Sequence, residues 1–458
     1  MDLNLLRERL LAIVGEAGIV CAADAAQRPA GFMRPEGVQC LLLVRPASTH
    51  EVAGVLRICH ELRLPVVTQG GRTGLVHGAD AMPGHLVLSL ERMQQIEDIN
   101  PRQRVARVQA GVTLQALQEA VQPHGLAFPL DLGARGSATL GGNAATNAGG
   151  NRVIRYGMMR DMVLGLEAVL ADGSVVSSLN QLIKNNAGYD LKQLFLGSEG
   201  TLGVITRLVL RLRELPASQN VALVALRDFE SVSGLLKHMD RTLGGGLSAF
   251  EVMWREFYEL VSTPPAASAP PLPHGHAFYA LIEAQGADQA PDNQRFVAAL
   301  EAALESGLVA DAAIAASQRE CAALWALRDD VMQTARHGWP LTFDISLPLD
   351  AMQAYVQQLR AALAQRWPAH HCWVFGHLGD GNLHLVIHTG SEADRPAVEQ
   401  LVYQPLAVLQ GSISAEHGIG LEKKPYLHLS RNPAEIALMR ALKQTLDPLN
   451  LLNPGKIF

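Results

Sequence analysis

The residues with the clearest chemical potential lie in the last third of the chain, in the segment His377-Leu-Gly-Asp-Gly-Asn-Leu-His384 and in the pair Glu416-His417. The sequence Gly-Asp-Gly-Asn is typical of a hairpin turn, which would place the two histidines on neighbouring strands. Two imidazoles and one carboxylate suit Zn²⁺, Mn²⁺ or Fe²⁺ at a catalytic site with open positions for a substrate. The alternative is two hydrogen-bonded histidines near a surface turn, in a chain that contains 16 histidines.

Two glycine turns in the first half form the second group of candidates. Gly70-Gly71-Arg72-Thr73-Gly74 follows the apolar run LPVVTQ, and Gly141-Gly142-Asn143 leads to Asn147-Ala148-Gly149-Gly150. Successive N–H groups in such turns can form an anion site for a pyrophosphate. Glycine also lets a ligand approach the backbone, which favours binding over a flexible loop. No G-x-G-x-x-G follows the first strand and no G-x-x-x-x-G-K-[ST] occurs, so NAD and ATP sites are not expected.

The elements that position these residues change in kind at about residue 215. Before it, strand and helix signals alternate: VQCLLLV, a helix opened by the capping box of Ser48 and Glu51, and LPVVTQ. After it come the strands VALVAL, HAFYALIEA, LTFDISL, HCWVFGH and LHLVIH, separated by helical segments such as 350–366. We therefore expect an α/β-like first domain over 1–214, completed by 440–458. The second domain, over 215–439, is expected to be α+β with helices on one face of an antiparallel sheet.

Composition limits the classes of partner and compartment. The 458 residues are 48% hydrophobic and 18% charged with a formal net charge of −6, which gives no electrostatic reason to expect nucleic acid. Five cysteines without a CxxC pair indicate a reduced compartment. The N-terminal segment predicts an amphipathic helix rather than a signal peptide, and no run of 18 apolar residues occurs. We expect a cytoplasmic protein, at most peripheral to a membrane.

Three blocks of sequence together carry a resemblance to a known family. They are PVVTQGGRTGL, then PLDLGARGSATLGGNAATNAGGNRVIRYG with NNAGYDLKQLFLGSEGTLGVIT, and finally FGHLGDGNLH with SISAEHGIG and LNPGKIF. The chain resembles flavoproteins of the vanillyl-alcohol-oxidase/p-cresol-methylhydroxylase type, specifically the D-2-hydroxyacid dehydrogenases that include D-lactate and D-2-hydroxyglutarate dehydrogenases and the glycolate oxidase catalytic subunit. The resemblance spans nearly the whole chain. It implies an α+β fold with an FAD-binding domain and an antiparallel-sheet substrate domain that carries a metal site.

The resemblance implies noncovalent FAD in the first domain, with its pyrophosphate on the first glycine turn. Relatives with covalently attached flavin commonly carry a histidine in this loop, which here reads Gly-Gly-Arg-Thr-Gly. The cofactor-binding residues that it implies are Gly70, Gly71, Arg72, Thr73, Gly74, Pro129, Asp131, Gly141, Gly142, Asn143, Thr146, Asn147, Gly149, Gly150, Glu199, Gly203, Ile205 and Asn453.

The same resemblance implies that His377, His384 and Glu416 bind a divalent metal, Zn or Mn, and that His417 is the general base. Transfer of a hydride from C2 of a hydroxyacid to flavin N5 requires loss of the hydroxyl proton at about the same time, and a histidine titrates near neutral pH. A divalent ion bound by the substrate carboxylate and hydroxyl would lower the hydroxyl pKa.

Two further site residues follow from the resemblance. Arg328, in the segment WALRD, would hold a substrate carboxylate with its planar guanidinium, and Asn382 would add a polar contact. The alternative for Arg328 is an ion pair on a helix surface with Asp329 or Asp330.

The sequence also departs from the relatives that act on the dicarboxylate 2-hydroxyglutarate. Those relatives carry a hydroxyl residue four places after the arginine and a lysine two places before the Asp of the DISLP-like strand. Here these positions are Met332 and Thr342. The missing ammonium favours a monocarboxylate such as D-lactate, or a more apolar 2-hydroxyacid.

The predicted function is FAD-dependent oxidation of a D-2-hydroxyacid to the 2-oxoacid. The electrons would pass to an acceptor such as electron-transferring flavoprotein, a quinone or a cytochrome, and a homodimer is compatible with the sequence. One alternative is a flavin alcohol oxidase or dehydrogenase of the same fold that needs no metal. Another is a noncatalytic flavin-binding subunit for electron transfer, which would have no need of the cluster His377, His384, Glu416 and His417.

Overall fold

The computed structural model describes residues 2–32, 34–338 and 340–458, which form two compact units. Unit 1 comprises Met1–Gly150, Gly157–Leu215 and Glu416–Phe458, and unit 2 comprises Asn151–Tyr156 and Pro216–Ala415. The final return of the chain to unit 1 therefore begins at Glu416, earlier than the residue 440 expected from the sequence.

Strands and helices are numbered along the whole chain. The strands are β1 (Ile19–Cys21), β2 (Pro29–Gly31), β3 (Arg34–Gly37), β4 (Leu42–Val44), β5 (Val66–Gln69), β6 (Leu86–Ser89), β7 (Ile96–Asn100), β8 (Val105–Gln109), β9 (Leu126–Ala127), β10 (Val163–Val169), β11 (Val175–Ser178), β12 (Val204–Arg211), β13 (Arg213–Glu214), β14 (Ser218–Leu226), β15 (Leu247–Trp254), β16 (Phe278–Gly286), β17 (Asp311–Ile314), β18 (Leu341–Ser346), β19 (His371–His377) and β20 (Asn382–His388).

The α-helices are α1 (Leu3–Val14), α2 (Ala22–Ala25), α3 (Thr49–Leu62), α4 (Leu114–Val121), α5 (Leu140–Thr146), α6 (Val153–Tyr156), α7 (Met159–Met162), α8 (Lys192–Phe195), α9 (Phe229–Leu243), α10 (Arg255–Val261), α11 (Gln289–Glu305), α12 (Gln318–Asp329), α13 (Leu349–Arg366), α14 (Arg395–Tyr403), α15 (Leu406–Leu409) and α16 (Pro433–Leu446). Short 3₁₀ helices span Glu16–Gly18, Gln122–His124, Val331–His337, Leu378–Asp380, Glu392–Asp394 and Lys424–Leu429. Within the described ranges, no helix combines the length and apolar composition needed to cross a bilayer.

Unit 1 contains two main sheets. Four strands lie in the order β1, β4, β6, β5, and both β4 and β5 run parallel to β6. Five antiparallel strands lie in the order β11, β10, β12, β8, β7. Helix α3 connects β4 to β5, so the predicted alternation of strand and helix is confirmed at this point.

Helix α3 begins where its sequence predicts. The Ser48 hydroxyl accepts the N–H of Glu51 at 3.2 Å, and the Glu51 carboxylate accepts the N–H of Ala47 at 2.8 Å. The first bond satisfies an N–H group that the first turn of a helix leaves unpaired, whereas the second binds the residue before the cap. The apolar face of α3 is buried in the core of unit 1 and includes Val52, Val55, Leu56 and Cys59.

Unit 2 is built on one antiparallel sheet of seven strands in the order β17, β14, β16, β15, β19, β20, β18. The expectation that helices cover one face was wrong. Met253 and Tyr279 share a core cluster with α10 and α12, whereas Phe229 of α9 contacts Trp254 and Phe278. Because successive strand residues face opposite sides, helices cover both faces. Accordingly, β15 is buried at every position.

The six residues 151–156 leave unit 1 and join unit 2. The Arg152 guanidinium donates to the Glu283 carboxylate at 2.8 and 3.0 Å. Arg155 donates to the Gln285 carbonyl oxygen at 2.6 Å, and the Tyr156 hydroxyl donates to the Gln285 side chain at 2.8 Å. Hydrogen bonds to β16 therefore decide the unit to which this segment belongs.

The carboxyl-terminal segment docks in unit 1, as its apolar sequence predicts. Leu452 pairs in parallel with Val66 of β5. The buried Lys443 ammonium donates to Thr201 O at 2.9 Å, to Leu452 O at 2.8 Å and to the Asp447 carboxylate. A single buried cation thus connects α16 to the end of the chain.

We predict that Lys443→Met destabilises unit 1 by about 3 kcal/mol, because it leaves the buried Asp447 carboxylate without its cation. The measurement is the urea midpoint of unfolding followed by circular dichroism. Lys424→Met is the control, since the Lys424 ammonium bonds Gly455 O at 2.9 Å in an exposed position. Equal midpoints for the two variants would contradict the anchoring role.

Candidate active site

The two histidines of the hairpin lie together in unit 2. His377 ends β19, His384 lies in β20, and the antiparallel register pairs His384 with Phe375. The two imidazole rings are 5.2 Å apart between centroids, and one ring nitrogen of each lies within 4.8 Å of the other. The predicted placement on neighbouring strands is confirmed. It brings both nitrogens close enough to bind one ion.

Two polar side chains accompany His384. Asp344 of β18 lies opposite His384 in the register, and its fully buried carboxylate is 3.9 Å from His384 Nδ1. The Asn382 amide nitrogen donates to Asp344 at 2.8 Å and to Ile345 O at 2.9 Å. The Asn382 amide hydrogens are therefore used within the protein, and the substrate contact expected of this residue stays a prediction.

Glu251 is a site residue that the sequence analysis missed. It lies in β15 opposite His377, and its carboxylate is 2.7 Å from His377 Nδ1. A carboxylate on one ring nitrogen of a histidine fixes the tautomer and leaves the other nitrogen for a metal. An acidic residue inside the run LSAFEVMW was the signal that could have revealed it, since buried acids are rare unless paired.

The second oxygen of Glu251 binds Arg328. Arg328 lies in the last turn of α12, is 5% exposed and donates to Glu251 at 2.9 Å through Nε. Its Nη2 lies 2.7 Å from the same carboxylate oxygen, and its guanidinium is 5.3 Å from the Phe375 ring centroid. The guanidinium is therefore a buried, oriented group. It is not the helix-surface ion pair of the alternative interpretation, although Nη1 also lies 3.4 Å from Asp329.

The charge of Glu251 depends on these two partners. Burial alone would raise the pKa of Glu251, but the charges of His377 and Arg328 outweigh burial and hold the pKa at about 2. Glu251 is therefore ionised near neutral pH. One carboxylate thus orients both a candidate metal ligand and a candidate substrate-binding cation.

Glu416 and His417 follow Ala415, the last residue of unit 2. The backbone N–H of Ala415 donates to Asp344 O at 3.4 Å. Glu416 begins the last segment of unit 1, where its carboxylate accepts the N–H of Gly150. The roles of Glu416 as a ligand and His417 as a base stay predictions.

The two predicted glycine turns lie against each other in unit 1. A Cβ added at Gly70 would lie 2.5 Å from Thr139 Oγ1 and 3.7 Å from the Cα of Gly142, and one at Gly71 would collide with Ser137 O. Glycine at 70 and 71 is thus required by packing between the loops. By contrast, a Cβ at Gly74 would meet nothing within 4 Å among the described residues.

Other residues assigned to the cofactor surround these turns. Thr146 and Asn147 end helix α5, which begins at the Thr139 cap. Asn453 accepts the N–H of Thr68 at 2.9 Å and donates to Glu199 O at 2.6 Å. The first turn, α5, Glu199 and the tail therefore form one contiguous region.

The remaining assigned residues have packing roles in unit 1. Asp131 pairs with Gly150 in an isolated parallel bridge, next to Pro129 and Gly149 in the chain. A Cβ on Gly203 would lie 2.7 Å from the Phe195 ring, and Ile205 is buried in β12. Phe195 packing accounts for the glycine at 203 without a cofactor, so cofactor contact by Gly203 and Ile205 stays a prediction.

Two buried polar atoms next to the turns suit a polar cofactor. Asn143 Nδ2 and Thr68 Oγ1 have no hydrogen-bond partner within residues 2–32, 34–338 and 340–458. Because buried polar atoms are nearly always hydrogen-bonded, a ligand in contact with these atoms would satisfy both. The residues present therefore fit the cofactor that the sequence predicts.

Two known protein families match the two halves of the chain. The family described as "FAD binding domain" matches residues 40–178. The family described as "FAD linked oxidases, C-terminal domain" matches residues 215–457. The predicted dependence on FAD is confirmed by these matches.

Curated relatives cover most of the chain. D-2-hydroxyglutarate dehydrogenase, mitochondrial, of Bos taurus is 44% identical over 419 residues, which are 91% of this chain and 76% of the relative. D-2-hydroxyglutarate dehydrogenase of Xanthomonas citri pv. viticola is 42% identical over 425 residues, covering 91% and 89% of the two chains.

Solved structures share the fold at low identity. The structure of p-cresol methylhydroxylase with substrate bound has a TM-score of 0.77 at 16% identity and covers 99% of this chain and 96% of its own. An alkyldihydroxyacetonephosphate synthase has a TM-score of 0.76 at 16% identity, covering 100% and 85%. The predicted fold class is confirmed.

We predict that Glu251→Gln weakens the binding of one divalent ion per chain by about 10- to 100-fold, because His377 loses the carboxylate that orients it. Calorimetric titration with Zn²⁺ or Mn²⁺ measures this, and His377→Ala should remove binding altogether. Glu283→Gln is the matched control, since Glu283 is equally buried and bonds Arg152 instead. Unchanged affinity in Glu251→Gln would contradict the orienting role.

Proposed function

We propose a residue-level mechanism for this chain, which belongs to the FAD-dependent D-2-hydroxyacid dehydrogenases and is an oxidoreductase that acts on a D-2-hydroxyacid. In this proposal His377, His384 and Glu416 hold a divalent ion, His417 is the base and Arg328 binds the substrate carboxylate. The observation that carries it is the pair His377 and His384 on adjacent strands of unit 2, with Glu251 oriented toward His377.

His417 would remove the hydroxyl proton of the substrate. FAD, when bound, supplies the acceptor for the hydride that leaves C2. A neutral imidazole can take a proton near neutral pH, and it must do so as the hydride leaves, because the product is a ketone. The position of His417 directly after Glu416 supports this role, since a ligand of the ion and the base would then act on neighbouring atoms of the substrate.

The proposed ligand set consists of His377, His384 and Glu416. A divalent ion bound there would supply positive charge that lowers the pKa of the substrate hydroxyl. Two observations in unit 2 support it: the proximity of the two imidazoles and the carboxylate on His377 Nδ1. Nitrogen and carboxylate donors of this kind suit Zn²⁺ or Mn²⁺. The competing proposal of a metal-free alcohol oxidase would leave this histidine pair without a role.

Arg328 is proposed to bind the C1 carboxylate. Its guanidinium is held by Glu251 on one side, so its orientation is fixed before the substrate arrives, which reduces the entropy lost on binding. The Glu251 carboxylate also balances the buried positive charge when no substrate is present. Arg328 and His377 would therefore be aligned with each other through a single anion.

The substrate could be a D-2-hydroxyacid with or without a second carboxylate, and residue 342 bears on this choice. Thr342 is exposed in β18 and lies on the same face as Asp344, two residues away. At this position dicarboxylate-specific relatives are expected to carry lysine, and threonine offers no charge to a distal carboxylate. We therefore propose a D-2-hydroxyacid without a second carboxylate. D-2-Hydroxyglutarate is the second candidate, favoured by the names of the relatives.

The acceptor and location stay predictions. Electron-transferring flavoprotein, a quinone and a cytochrome remain the proposed acceptors, and a homodimer remains compatible with the sequence. The cytoplasmic location also stays a prediction, and several relatives carry "mitochondrial" in their names.

We predict that His417→Ala lowers the rate constant of flavin reduction by D-2-hydroxyacids by about 10²- to 10⁴-fold while FAD stays bound. The measurement is anaerobic stopped-flow bleaching of the flavin with D-lactate, D-2-hydroxyglutarate and L-lactate. His124→Ala, at an exposed position of unit 1, should leave the rate unchanged. Bleaching at the wild-type rate in His417→Ala would remove the assignment of the base. A wild-type protein that retains FAD without being bleached would favour the noncatalytic subunit.

We predict that Thr342→Lys raises kcat/KM for D-2-hydroxyglutarate relative to D-lactate by about tenfold, because a charge-assisted hydrogen bond to the distal carboxylate is worth at least about 1.5 kcal/mol. Thr342→Met provides a side chain of similar length without charge and should not change the ratio. If the wild-type protein already oxidises both acids equally well, the argument from Thr342 is wrong.

A further inference from the structure

A buried carboxylate binds the loop that follows the proposed base. Glu199 Oε1 accepts the N–H of Ile419 at 2.7 Å, and Oε2 accepts the N–H of Gly420 at 2.8 Å. These donors lie two and three residues after His417 in unit 1. Successive N–H groups that point to one anion form a binding turn for that anion. The Glu199 carboxyl group thus occupies the binding position of this turn.

The glycines of this loop are required by the contact with Glu199 and by a second contact. A Cβ on Gly418, which has φ +85°, would lie 2.8 Å from Glu199 Oε1. A Cβ on Gly420, which has φ +53°, would collide with the carbonyl oxygen of Val76, and that oxygen also accepts the N–H of Leu421 at 2.9 Å. Both glycines allow the loop to lie directly against its supports.

The backbone of Glu199 is fixed independently of its side chain. Glu199 has φ +51°, which is uncommon for a residue other than glycine. Its N–H donates to Ala145 O of α5 at 2.7 Å, and its carbonyl accepts Asn453 Nδ2 at 2.6 Å. Helix α5 and the tail therefore hold Glu199 in a conformation that directs its carboxylate at the loop.

We infer that Glu199 is a positioning residue for His417, an inference that rests on the proposed role of His417 as the base. The carboxylate fixes the backbone at residues 419 and 420, and the short chain between them and His417 transmits that constraint. The sequence assigned Glu199 to the cofactor, but its two carboxylate oxygens are used by the loop. Glutamine offers one acceptor oxygen, so its NH₂ group would face the second N–H.

Glu199→Gln is the first test, in the full-length FAD-loaded protein. The rate constant of flavin reduction should fall by about 100-fold, the loss that a displacement of about 1 Å causes at a catalytic group. The FAD content per chain and the KM for substrate should stay within about threefold of wild type, because a positioning residue affects the rate of the chemical step and not binding. Glu167→Gln is the matched control, because Glu167 is a buried carboxylate of unit 1 that bonds Thr49 and Ser177 instead.

A double-mutant cycle separates positioning from other effects. If Glu199 acts through His417, Glu199→Gln should cause no further loss in the His417→Ala background. Additive losses would overturn the inference. Loss of FAD with an unchanged reduction rate per bound flavin would also overturn the inference, because Glu199 would then act in cofactor binding.

Hydrogen exchange tests the inference without enzyme activity. Amide exchange in peptides covering 416–421 should be faster in Glu199→Gln than in Glu167→Gln, and equal exchange would overturn the inference. If the wild-type flavin is not reduced by any D-2-hydroxyacid, the proposed function fails, and with it the role of Glu199 in positioning a base. Gly418→Ala is the second variant should Glu199→Gln not fold. It places a Cβ against the carboxylate and should cause the same loss of rate with FAD retained.

Discussion

A buried carboxylate is stable only beside positive or hydrogen-bonding partners, and this constraint shapes the candidate site. Glu251 lies fully buried in an apolar strand, so it requires both His377 and Arg328. The three side chains come from β15, β19 and α12, which the chain reaches at widely separated positions. The contact of His377 with Glu251 and the ion pair of Glu251 with Arg328 fix the orientation of the imidazole and the guanidinium before any ligand binds.

The glycine-rich segments contribute to the site in a different way. Gly70 and Gly71 allow the first turn to pack on residues 137–142, and Gly418 and Gly420 allow the base loop to pack on Glu199 and Val76. These glycines thus allow close contact with backbone oxygens at Gly71 and Gly420 and with side-chain oxygens at Gly70 and Gly418. Contacts within the protein therefore position these loops without the cofactor.

Local sequence patterns predicted several elements with their bounds. Helix α13 covers Leu349–Arg366, close to the expected 350–366, α3 has the predicted cap, and β19 covers the predicted run HCWVFGH. These features depend on residues within one element, so the local sequence is sufficient to predict them. Strand β15 escaped prediction because its interrupting acid, Glu251, obscures an otherwise apolar run, and its role depends on partners 77 and 126 residues away.

From the sequence, the histidine pair on one hairpin followed from residue type and short spacing. The FAD-dependent family and the candidate ligand set followed from the resemblance of three sequence blocks to known flavoproteins. Only the tertiary structure decided that helices cover both faces of the sheet in unit 2, how Arg328 is oriented and which N–H groups Glu199 binds. Each of these depends on which distant side chain satisfies a buried group. Many side chains have a group that could form the required hydrogen bond, and the strand order and register decide which of them lies close enough.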